Sequence, residues 1–515
     1  MRALLVAGAF LAWTVPPALP AQTSSNPVTA MPIVEPYSTS DTDIGTLLDD
    51  PAARAVLEKY VPAITKGPRT DMIRGATLKS IQGYALSVLT DKVLADIDAD
   101  LAKLTPMPLP PGKVRKPSKV TTNEAKVRPY TLPDPLILSN GQPVRTAGTW
   151  WKKRRPEIYH MFETLEYGRA PSRPKDEHFE VFDTGTPAFG GTAIRKQAVI
   201  YLAKDPATPS IQLVEYLPAA AKRPVPMLLT IGFTAPSAMF NDPGIRKSMV
   251  WDEAKKQKVP ASGSPMGRMD IGKFIAAGIG VAAYYYGDVD PDFPGGYQLG
   301  IRARYAKGDD AARAPDSWGA IAAWAWSLSR VQDYLETDPA VDAKRVAING
   351  ASRLGKTVLW AAARDQRFAA VIACCSGKMG AALMKRNFGA SISGSESGGS
   401  DYWVAPNFKQ FYNNENNLPM DSHMLLSLIA PRPVFLQTGK YDYAADPKGE
   451  FEAAVAAGPV YRLLGKQDLG TTAWPPVAPI YNDLGYYRNA IGHGMAPGDW
   501  DIYLAFLKRH LHPGD

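Results

Sequence analysis

Cysteine is almost absent from this chain: among 515 residues there are only two, Cys374 and Cys375. Disulfide geometry needs a larger separation between Cα atoms than adjacent residues usually allow, so these two rarely bond to each other. Adjacent cysteines also lack the spacing of zinc ligands, which excludes the common cysteine-based zinc sites. The sequence therefore predicts a fold that is not held by disulfide bonds, and we expect no metal.

A concentrated basic stripe is also missing, although the formal net charge is +8. Without such a stripe or a known module, the charge does not indicate a nucleic-acid partner. A diffuse positive field would instead attract acidic polysaccharide. Hydrophobic residues make up 45% of the chain and charged residues 21%, proportions typical of a globular protein with a large core.

No apolar run in the sequence is long enough to span a bilayer. The run at residues 3–15 has 13 residues, whereas a spanning helix needs about 20. It follows Met1-Arg2 and precedes a small-residue, proline-containing stretch at 16–21. This three-part pattern predicts a signal peptide over residues 1–21, cut near Ala21. We expect an exported protein, periplasmic or secreted, with no membrane anchor.

The next hundred residues change character twice. Residues 22–40 are rich in Ser, Thr and Pro and are predicted to be flexible. Residues 41–104 are predicted to form a small helical module, because apolar residues recur at helical spacing, as at Val93, Leu94, Ile97 and Leu101. The pattern favours a packing or attachment role for it. Residues 105–124 contain five prolines and predict an extended linker.

Residues 125–515 alternate apolar strands with helices. Strands are predicted at 226–232, 279–284, 346–349, 370–374 and 433–438, and the clearest helices at 317–333 and 356–365. Strands that are apolar throughout, separated by helices, indicate a parallel sheet covered on both faces. The sequence therefore predicts an α/β domain, with ligands bound at the carboxyl ends of the strands.

Ser352 follows a predicted strand, at the edge of the sheet where ligands are expected to bind. A predicted strand runs into Gly350-Ala-Ser-Arg-Leu-Gly355, after which a helix is predicted. A tight turn there would expose the serine hydroxyl, with the N–H of Arg353 as an oxyanion donor. The second glycine comes one residue later than in the G-x-S-x-G motif. A serine that only caps the helix is the alternative interpretation.

The stretch from Gly350 to Lys356 resembles the signature of the glucuronoyl esterases, carbohydrate esterase family 15. The same resemblance extends to residues 132–136, 150–168, 286–293, 318–324, 417–424, 429–434 and 445–451. It spans residues 125–511 and does not include the helical module. It implies an α/β-hydrolase fold, a three-layer sandwich with a mainly parallel sheet.

The resemblance implies a serine carboxylic-ester hydrolase that cleaves the ester between a 4-O-methyl-glucuronoyl group of xylan and a lignin alcohol, with no cofactor. Its partner would be a polysaccharide or lignin–carbohydrate ester. By the same resemblance, Arg353 helps to hold the oxyanion, Lys356 contacts sugar hydroxyls, and Tyr443 stands near the position of an aromatic residue that lines the sugar site. A second oxyanion donor is expected from the backbone near Phe233 and Thr234, after an earlier strand.

The catalytic base is one of six histidines. In the α/β-hydrolase fold the triad residues follow the chain order serine, acid, histidine. His493 lies in a glycine-flanked loop before the last predicted helix, as this order requires. His423 lies in a helix-like stretch, and the other four precede the serine or lie in the C-terminal tail. We therefore predict that His493 is the base.

The catalytic acid has three candidates. Many family members carry a glutamate at the position that Cys375 occupies here, and a cysteine cannot readily supply the negative charge that orients the histidine. The more usual hydrolase position follows the predicted strand at 433–438, where Asp442 stands. We predict Asp442, with Asp446 as the second candidate and Glu396 as a more distant one.

Departures from the family pattern leave the substrate open. Ala390 stands where family members often have a glutamate that contacts the uronate hydroxyls, and Tyr443 replaces a tryptophan. A second hypothesis is therefore another carbohydrate esterase, of the acetyl or feruloyl type, on the same triad. A third is a non-catalytic glycan-binding relative, supported only by Cys375. The oligomeric state does not follow from the sequence.

Overall fold

The computed structural model describes residues 36–66, 70, 73–107, 121–263, 269–306, 314–393 and 401–513. Contacts join these residues into one unit, Pro36–Asp515. The predicted signal peptide, most of the predicted flexible segment, much of the predicted linker and Glu396 lie outside the described residues.

Eleven strands are described: β1 His178–Ala188, β2 Ala193–Tyr201, β3 Ser210–Pro218, β4 Val225–Gly232, β5 Met249–Asp252, β6 Gln257–Pro260, β7 Gly280–Tyr285, β8 Val341–Ala351, β9 Ala370–Cys374, β10 Val434–Gly439 and β11 Leu484–Asn489. Nine of them form one sheet in the order β1-β2-β3-β7-β4-β8-β9-β10-β11, and β5 and β6 form a separate hairpin. The first three strands are antiparallel, and β3 is antiparallel to β7. From β7 to β11 the sheet is parallel.

The described helices are α1 Ile44–Asp49, α2 Pro51–Tyr60, α3 Pro62–Lys66, α4 Leu78–Ile81, α5 Asp91–Leu101, α6 Ala147–Thr149, α7 Arg155–Met161, α8 Pro236–Met239, α9 Ile271–Ala276, α10 Ile301–Tyr305, α11 Ala320–Leu335, α12 Arg353–Arg364, α13 Ser422–Ile429, α14 Pro447–Leu463 and α15 Asp499–Leu511. In the described part of the chain, none of them has the length and apolar character of a membrane-crossing helix.

Helices cover both faces of the sheet. α11, α12, α13 and α14 belong to one core with Leu229 and Ile231 of β4. α9 and α15 belong to a second core with Leu228, which points to the opposite face. β4 is buried along its whole length because both faces are covered. The three-layer α/β-hydrolase sandwich is therefore confirmed, with antiparallel strands added along one edge.

Two helix boundaries differ from the sequence prediction. α11 begins at Ala320 rather than near residue 317, because Gly319 is still extended, with φ −80° and ψ 175°. α12 begins at Arg353 rather than at Lys356. Its first turn contains Gly355, a poor helix former, which makes the helical pattern begin later in the sequence than in the structure.

The described residues among 36–107 carry α1 to α5, and we call them the helical module. The module has a small core of its own, which includes Leu47, Leu57, Leu78, Leu94 and Ile97. It also packs against the hydrolase part of the chain. The backbone N–H of His493 donates to the carbonyl oxygen of Gly83 (3.0 Å), and the Thr122 hydroxyl donates to the carbonyl oxygen of Ser40 (3.1 Å).

The beginning of the module differs from the prediction that residues 22–40 are flexible, because Tyr37 and Thr39 are buried. The Tyr37 hydroxyl donates to the Asp50 carboxylate (2.7 Å). The backbone N–H and the hydroxyl of Thr39 donate to the Asp98 carboxylate (2.6 and 2.8 Å). These bonds tie residues 36–40 to α2 and α5, contacts between distant segments that a polar local sequence does not reveal.

Candidate active site

Ser352 lies in a sharp turn between β8 and α12. Its backbone has φ 55° and ψ −126°, a conformation that costs energy for any residue with a side chain. The turn is held by hydrogen bonds from Ser352 N to the carbonyl oxygen of Cys374 (2.8 Å) and from Gly355 N to the carbonyl oxygen of Ser352 (2.8 Å). A strained strand–turn–helix corner is the geometry that exposes a nucleophilic serine in this fold.

The glycine spacing around Ser352 follows from close packing. A Cβ on Gly350 would lie 2.4 Å from the carbonyl oxygen of Leu354, so the corner accepts only glycine there. A Cβ on Gly355 would lie 3.0 Å from the carbonyl oxygen of Cys374. The second glycine is therefore placed where α12 passes the end of β9, one residue later than in the G-x-S-x-G motif.

His493 and Asp442 form the expected base–acid pair. Nδ1 of His493 lies 2.8 Å from Oδ2 of Asp442, whose side chain is fully buried. Asp442 follows β10 and His493 follows β11, two neighbouring parallel strands, so both loops leave the same edge of the sheet. With Nδ1 held by the carboxylate, Nε2 of His493 is left for the nucleophile.

Ser352 and His493 line one cavity of about 490 Å³. Within the described residues the Ser352 hydroxyl makes no hydrogen bond, to His493 or to any other group. Hydrogen bonds between catalytic groups are often long before substrate binds and shorten in the complex. The structure therefore brings the three predicted triad residues to one site, with the serine hydroxyl unengaged.

Cys375 occupies the side of this pair where a second carboxylate would fit. Its Sγ, an Asp442 carboxylate oxygen and a ring nitrogen of His493 all lie within 4.8 Å of one another. These are atom types that bind metals, but Nδ1 is already hydrogen-bonded to Asp442. A hydrogen bond to Cys374 and burial raise the pKa of the Cys375 thiol well above its usual value, so it is neutral. The group fits a triad better than a metal site.

Asp446, the second candidate acid, has a structural position. It caps α14 by accepting from Gly449 N (3.0 Å), and its carboxylate accepts from Nε of Arg386 (2.9 Å). Burial raises the pKa of Asp446 to about 6, although Arg386 opposes this effect. Its contacts are to Arg386 and α14, not to His493. Of the two candidate acids that the structure describes, it is Asp442 that lies at the histidine, and Glu396 lies outside the described residues.

Arg353 is held against the cavity by an ion pair with Asp292. Although burial disfavours its charge, the nearby Asp292 carboxylate raises the pKa of Arg353. The guanidinium lies over the ring of Trp403, 4.8 Å from its centroid. Nε of Arg353 is buried without a hydrogen-bond partner in the described part of the chain. The Arg353 side chain as a whole is 29% exposed and lines the cavity beside Ser352.

Asp292 is the residue that holds Arg353, and the sequence analysis did not single it out. Besides Arg353, its buried carboxylate accepts hydrogen bonds from Tyr286 (2.9 Å), Tyr402 (2.8 Å) and Trp403 (2.7 Å). Four donors around one carboxylate fix its position and, through it, that of the guanidinium. The sequence signal was the run of three acidic residues at 288, 290 and 292 directly after β7.

Lys356 also lines the cavity, and its ammonium is tied to the chain after β9. It donates to the carbonyl oxygens of Ser376 and Lys378 (the latter at 2.7 Å), and burial lowers the pKa of Lys356 to about 8. Glu450 of α14 holds the same segment by accepting from Gly377 N (2.5 Å). Burial raises the pKa of Glu450 to about 8.

The remaining predicted site residues have different positions. Phe233 and Thr234 follow β4 and line a second cavity with Arg353, separate from the cavity that Ser352 and His493 line. Ala390 lines the main cavity and offers no polar side chain. Tyr443 does not line this cavity; its ring contacts the ammonium of Lys79 in the helical module, 4.8 Å from the ring centroid.

Tyr84 brings the helical module to the catalytic histidine. Its ring stacks on His493, with 4.5 Å between ring centroids and 29° between planes. Beside it, a Cβ on Gly83 would lie 2.7 Å from the carbonyl oxygen of Tyr441, so the two segments are in close contact. No local sequence pattern indicates this contact, because it joins distant segments and the module lies outside the family resemblance.

Comparisons with known proteins show which family this chain is similar to. The family model described as glucuronyl esterase, fungi, matches residues 313–465. The chain is 41% identical to carbohydrate esterase MZ0003 from an unknown prokaryotic organism, over 78% of this chain and 95% of that protein. It is 40% identical to a CE15 esterase from a marine bacterial metagenome, described as promiscuous, over 76% of this chain and 100% of that one, with a TM-score of 0.70. The chain belongs to carbohydrate esterase family 15.

This family 15 member is also similar to a glucuronoyl esterase from Solibacter usitatus, with 40% identity and a TM-score of 0.71. The match covers 75% of this chain and 100% of that one. The chain is therefore an enzyme, a carboxylic-ester hydrolase. The alternative of a non-catalytic glycan-binding relative rested on the missing acid at Cys375, and Asp442 removes that support.

Proposed function

We propose that this family 15 enzyme hydrolyses the ester between a 4-O-methyl-glucuronoyl group of xylan and an alcohol of lignin. The observation that carries the catalytic part is the hydrogen bond from His493 to Asp442 beside Ser352. Similarity to a glucuronoyl esterase over that protein's whole length supports the choice of acyl group. It favours this substrate over the acetyl and feruloyl esters.

In the first step, Oγ of Ser352 attacks the ester carbonyl carbon, and its proton passes to Nε2 of His493. The tetrahedral oxyanion accepts hydrogen bonds from the N–H and guanidinium of Arg353 and from the backbone near Phe233 and Thr234. When the intermediate collapses, the bond to the alcohol oxygen breaks and His493 donates its proton to that oxygen. The acyl group remains on Ser352.

In the second step, water takes the place of the alcohol. His493 accepts a proton from the water as the water oxygen attacks the acyl carbon, and the same donors hold the second oxyanion. Collapse of this intermediate breaks the bond to Ser352, and the proton returns to its hydroxyl. Asp442 stabilises the imidazolium in both steps. Neither step requires a cofactor.

Lys356 is proposed to bind the uronate. An ammonium group has three N–H donors, and two of them go to the carbonyl oxygens of Ser376 and Lys378. The third is left for a sugar hydroxyl in the cavity. Ala390 lines the same cavity, but its side chain cannot form a hydrogen bond.

The pattern of residues 1–21 supports export to the periplasm or the medium, where a polysaccharide or lignin–carbohydrate ester is the partner we propose. The basic net charge suits an acidic uronate polymer and needs no nucleic acid to explain it.

Initial rates on methyl 4-O-methyl-glucuronate test the proposal, with acetylated and feruloylated sugars as competing substrates. We expect the wild type to prefer the glucuronate ester, Ser352→Ala to lose about 10⁴-fold or more in kcat, and Lys356→Met to raise KM for the glucuronate ester. Preference for an acetyl or feruloyl ester would reject the acyl group. Unchanged turnover by Ser352→Ala would reject the mechanism.

A further inference from the structure

We propose that the helical module forms the alcohol side of the substrate site and selects esters of aromatic alcohols. This inference rests on the proposed ester hydrolysis at Ser352, and it concerns the group that leaves rather than the acyl group. It assigns a function to a part of the chain outside the family resemblance.

The module supplies one wall of the catalytic cavity. Ile64, Ile73, Ile81, Tyr84 and Ala85 line the space that Ser352, Lys356 and His493 line from the hydrolase side. The three isoleucines are only half-buried in the core of the module. Their exposed surface faces the cavity, where a bound apolar group would remove it from water.

The position of Tyr84 identifies which part of the ester meets this wall. His493 protonates the oxygen of the leaving alcohol, so that alcohol lies against the His493 ring during the first step. Tyr84 stacks on the same ring, with 4.5 Å between centroids. Since Lys356 is proposed to bind the uronate, the group attached to the leaving oxygen is the part of the ester left to meet Tyr84 in the same cavity.

The serine and threonine hydroxyls on and beside the wall are already in use, which favours an apolar alcohol over a sugar. Thr77 and Ser80 bond to each other in the capping box of α4. The hydroxyl of Thr121 donates to Asp41 (3.1 Å), and that of Thr122 donates to Ser40. The wall offers isoleucine side chains and a tyrosine ring that is 60% exposed, a surface suited to an aromatic ring.

The relatives give independent support. The esterases from the marine metagenome and from Solibacter usitatus are matched along 100% of their chains by about three quarters of this one. Residues 121–515 make up about that share of the chain. About a quarter of this chain, a share equal to that of residues 1–120, therefore lies outside the match to these two relatives.

The test compares benzyl with methyl esters in two acyl series, glucuronate and acetate, using the full chain. Benzyl alcohol and methanol are similar acids, so the ratio of kcat/KM reports the binding of the alcohol. We expect Tyr84→Ala to lower the benzyl-to-methyl ratio of kcat/KM by about fivefold, mainly through a higher KM for the benzyl esters. Tyr84→Phe, which keeps the ring, should retain the benzyl preference.

Ile73→Ala tests the wall without touching His493 and should lower the benzyl-to-methyl ratio by about threefold. Val88→Ala is the matched control, because Val88 is an exposed module residue that does not line the cavity. An unchanged ratio in both Tyr84→Ala and Ile73→Ala, or equal losses on benzyl and methyl esters, would overturn the subsite. Turnover of acetates but not of glucuronates would reject the proposed acyl group. The ratio of kcat/KM for benzyl acetate to that for methyl acetate would still test the module.

Discussion

The carboxylate of Asp442 has one hydrogen-bonded partner in the described part of the chain, Nδ1 of His493 at 2.8 Å. Its other oxygen is buried without any partner there. A fully buried carboxylate that makes one hydrogen bond is a poor contributor to stability, because the cost of removing its charge from water is only partly offset. Its position is explained by the imidazolium that forms on His493 during the reaction.

Asp442→Asn is expected to lower kcat by about 10³- to 10⁴-fold, with KM changed less than threefold. An amide can donate to Nδ1, which holds the imidazole in the tautomer that cannot accept the proton of Ser352. Steady-state kinetics on a methyl glucuronate ester provide the measurement. Thermal unfolding should show that the variant remains folded.

Asp446→Asn is the matched comparison, because Asp446 is equally buried and was the second candidate acid. Loss of its charge weakens the bond to Arg386, so we expect a lower melting temperature with kcat per folded molecule unchanged. If instead Asp446→Asn abolishes turnover and Asp442→Asn does not, the acid has been assigned to the wrong residue.

Cys375 provides a second way to test the acid. Its Sγ lies within 4.8 Å of the Asp442 carboxylate and the His493 ring, so a longer acidic side chain at this position can reach the histidine. We expect Cys375→Glu in the Asp442→Asn background to recover at least about tenfold in kcat, because a charge again faces the imidazolium. Cys375→Gln in the same background has the same size without the charge. Equal rates for the two double variants would show that charge at residue 375 does not act on His493.

Most of the parallel part of the sheet could be predicted from the sequence, because every strand there except β11 has a continuous apolar run. β4, β7, β8, β9 and β10 all overlap predicted strands. β1 is different: most of its residues are exposed or half-buried, so it has no continuous apolar run to reveal it. The antiparallel edge therefore emerges only from the strand pairing in the structure.

Some residues of the candidate site could likewise be predicted from the sequence, and others could not. Ser352 and His493 could be predicted because a strand–turn–helix corner and a chain order are local or topological properties. Asp442 could be predicted as the acid because it follows a predicted strand. The ion pair of Arg353 with Asp292 depends on packing between distant loops, and the stack of Tyr84 on His493 depends on how the module folds back. No local pattern carries either contact.

Asp292→Asn is expected to lower kcat by about 10- to 100-fold, with a smaller effect on KM. The charged partner that holds the guanidinium of Arg353 is lost, so the donor to the oxyanion is less well fixed when charge develops there. Asp401→Asn is the control, since Asp401 pairs with the exposed Lys409 on a nearby loop. Similar kinetics for both variants would mean that the ion pair does not support catalysis.

Glu450 predicts a pH-dependent effect on stability. Its pKa is raised to about 8 in the folded protein from an ordinary value of 4.5, so the folded state binds a proton that the unfolded state has lost. The stability that this proton provides is complete below about pH 4.5 and is lost as pH rises toward 8. Glu450→Gln removes this loss and keeps an acceptor for Gly377 N.

The melting temperature of Glu450→Gln relative to wild type is therefore expected to increase steadily between pH 5 and pH 7.5. This window lies below the pKa of Lys356, which is about 8, so that group stays mainly charged. Glu415→Gln is the control, because it removes the charge of a glutamate in another part of the chain. A difference in melting temperature that does not vary with pH would show that Glu450 is ionised in the folded protein.

Gly83→Ala tests whether the module is held against the catalytic loop. A Cβ there would lie 2.7 Å from the carbonyl oxygen of Tyr441 and 3.1 Å from the backbone nitrogen of His493, so the segment carrying Tyr84 has to move away. Overpacking of this kind costs about 1–3 kcal/mol. We expect faster amide hydrogen exchange in residues 78–84 and at His493 N, whose hydrogen bond to Gly83 is then weakened. The parallel strands β8 to β10 should keep their protection.

Gly498→Ala is the control for adding a methyl group, because a Cβ at that position would meet no atom within 4 Å. It should leave exchange in residues 78–84 unchanged. Unaltered exchange in Gly83→Ala would mean that the module is not bound at His493 in solution, and the proposed alcohol-side wall would then lack its attachment. Faster exchange together with a lower benzyl-to-methyl ratio would connect the close contact at Gly83 with selection of the alcohol.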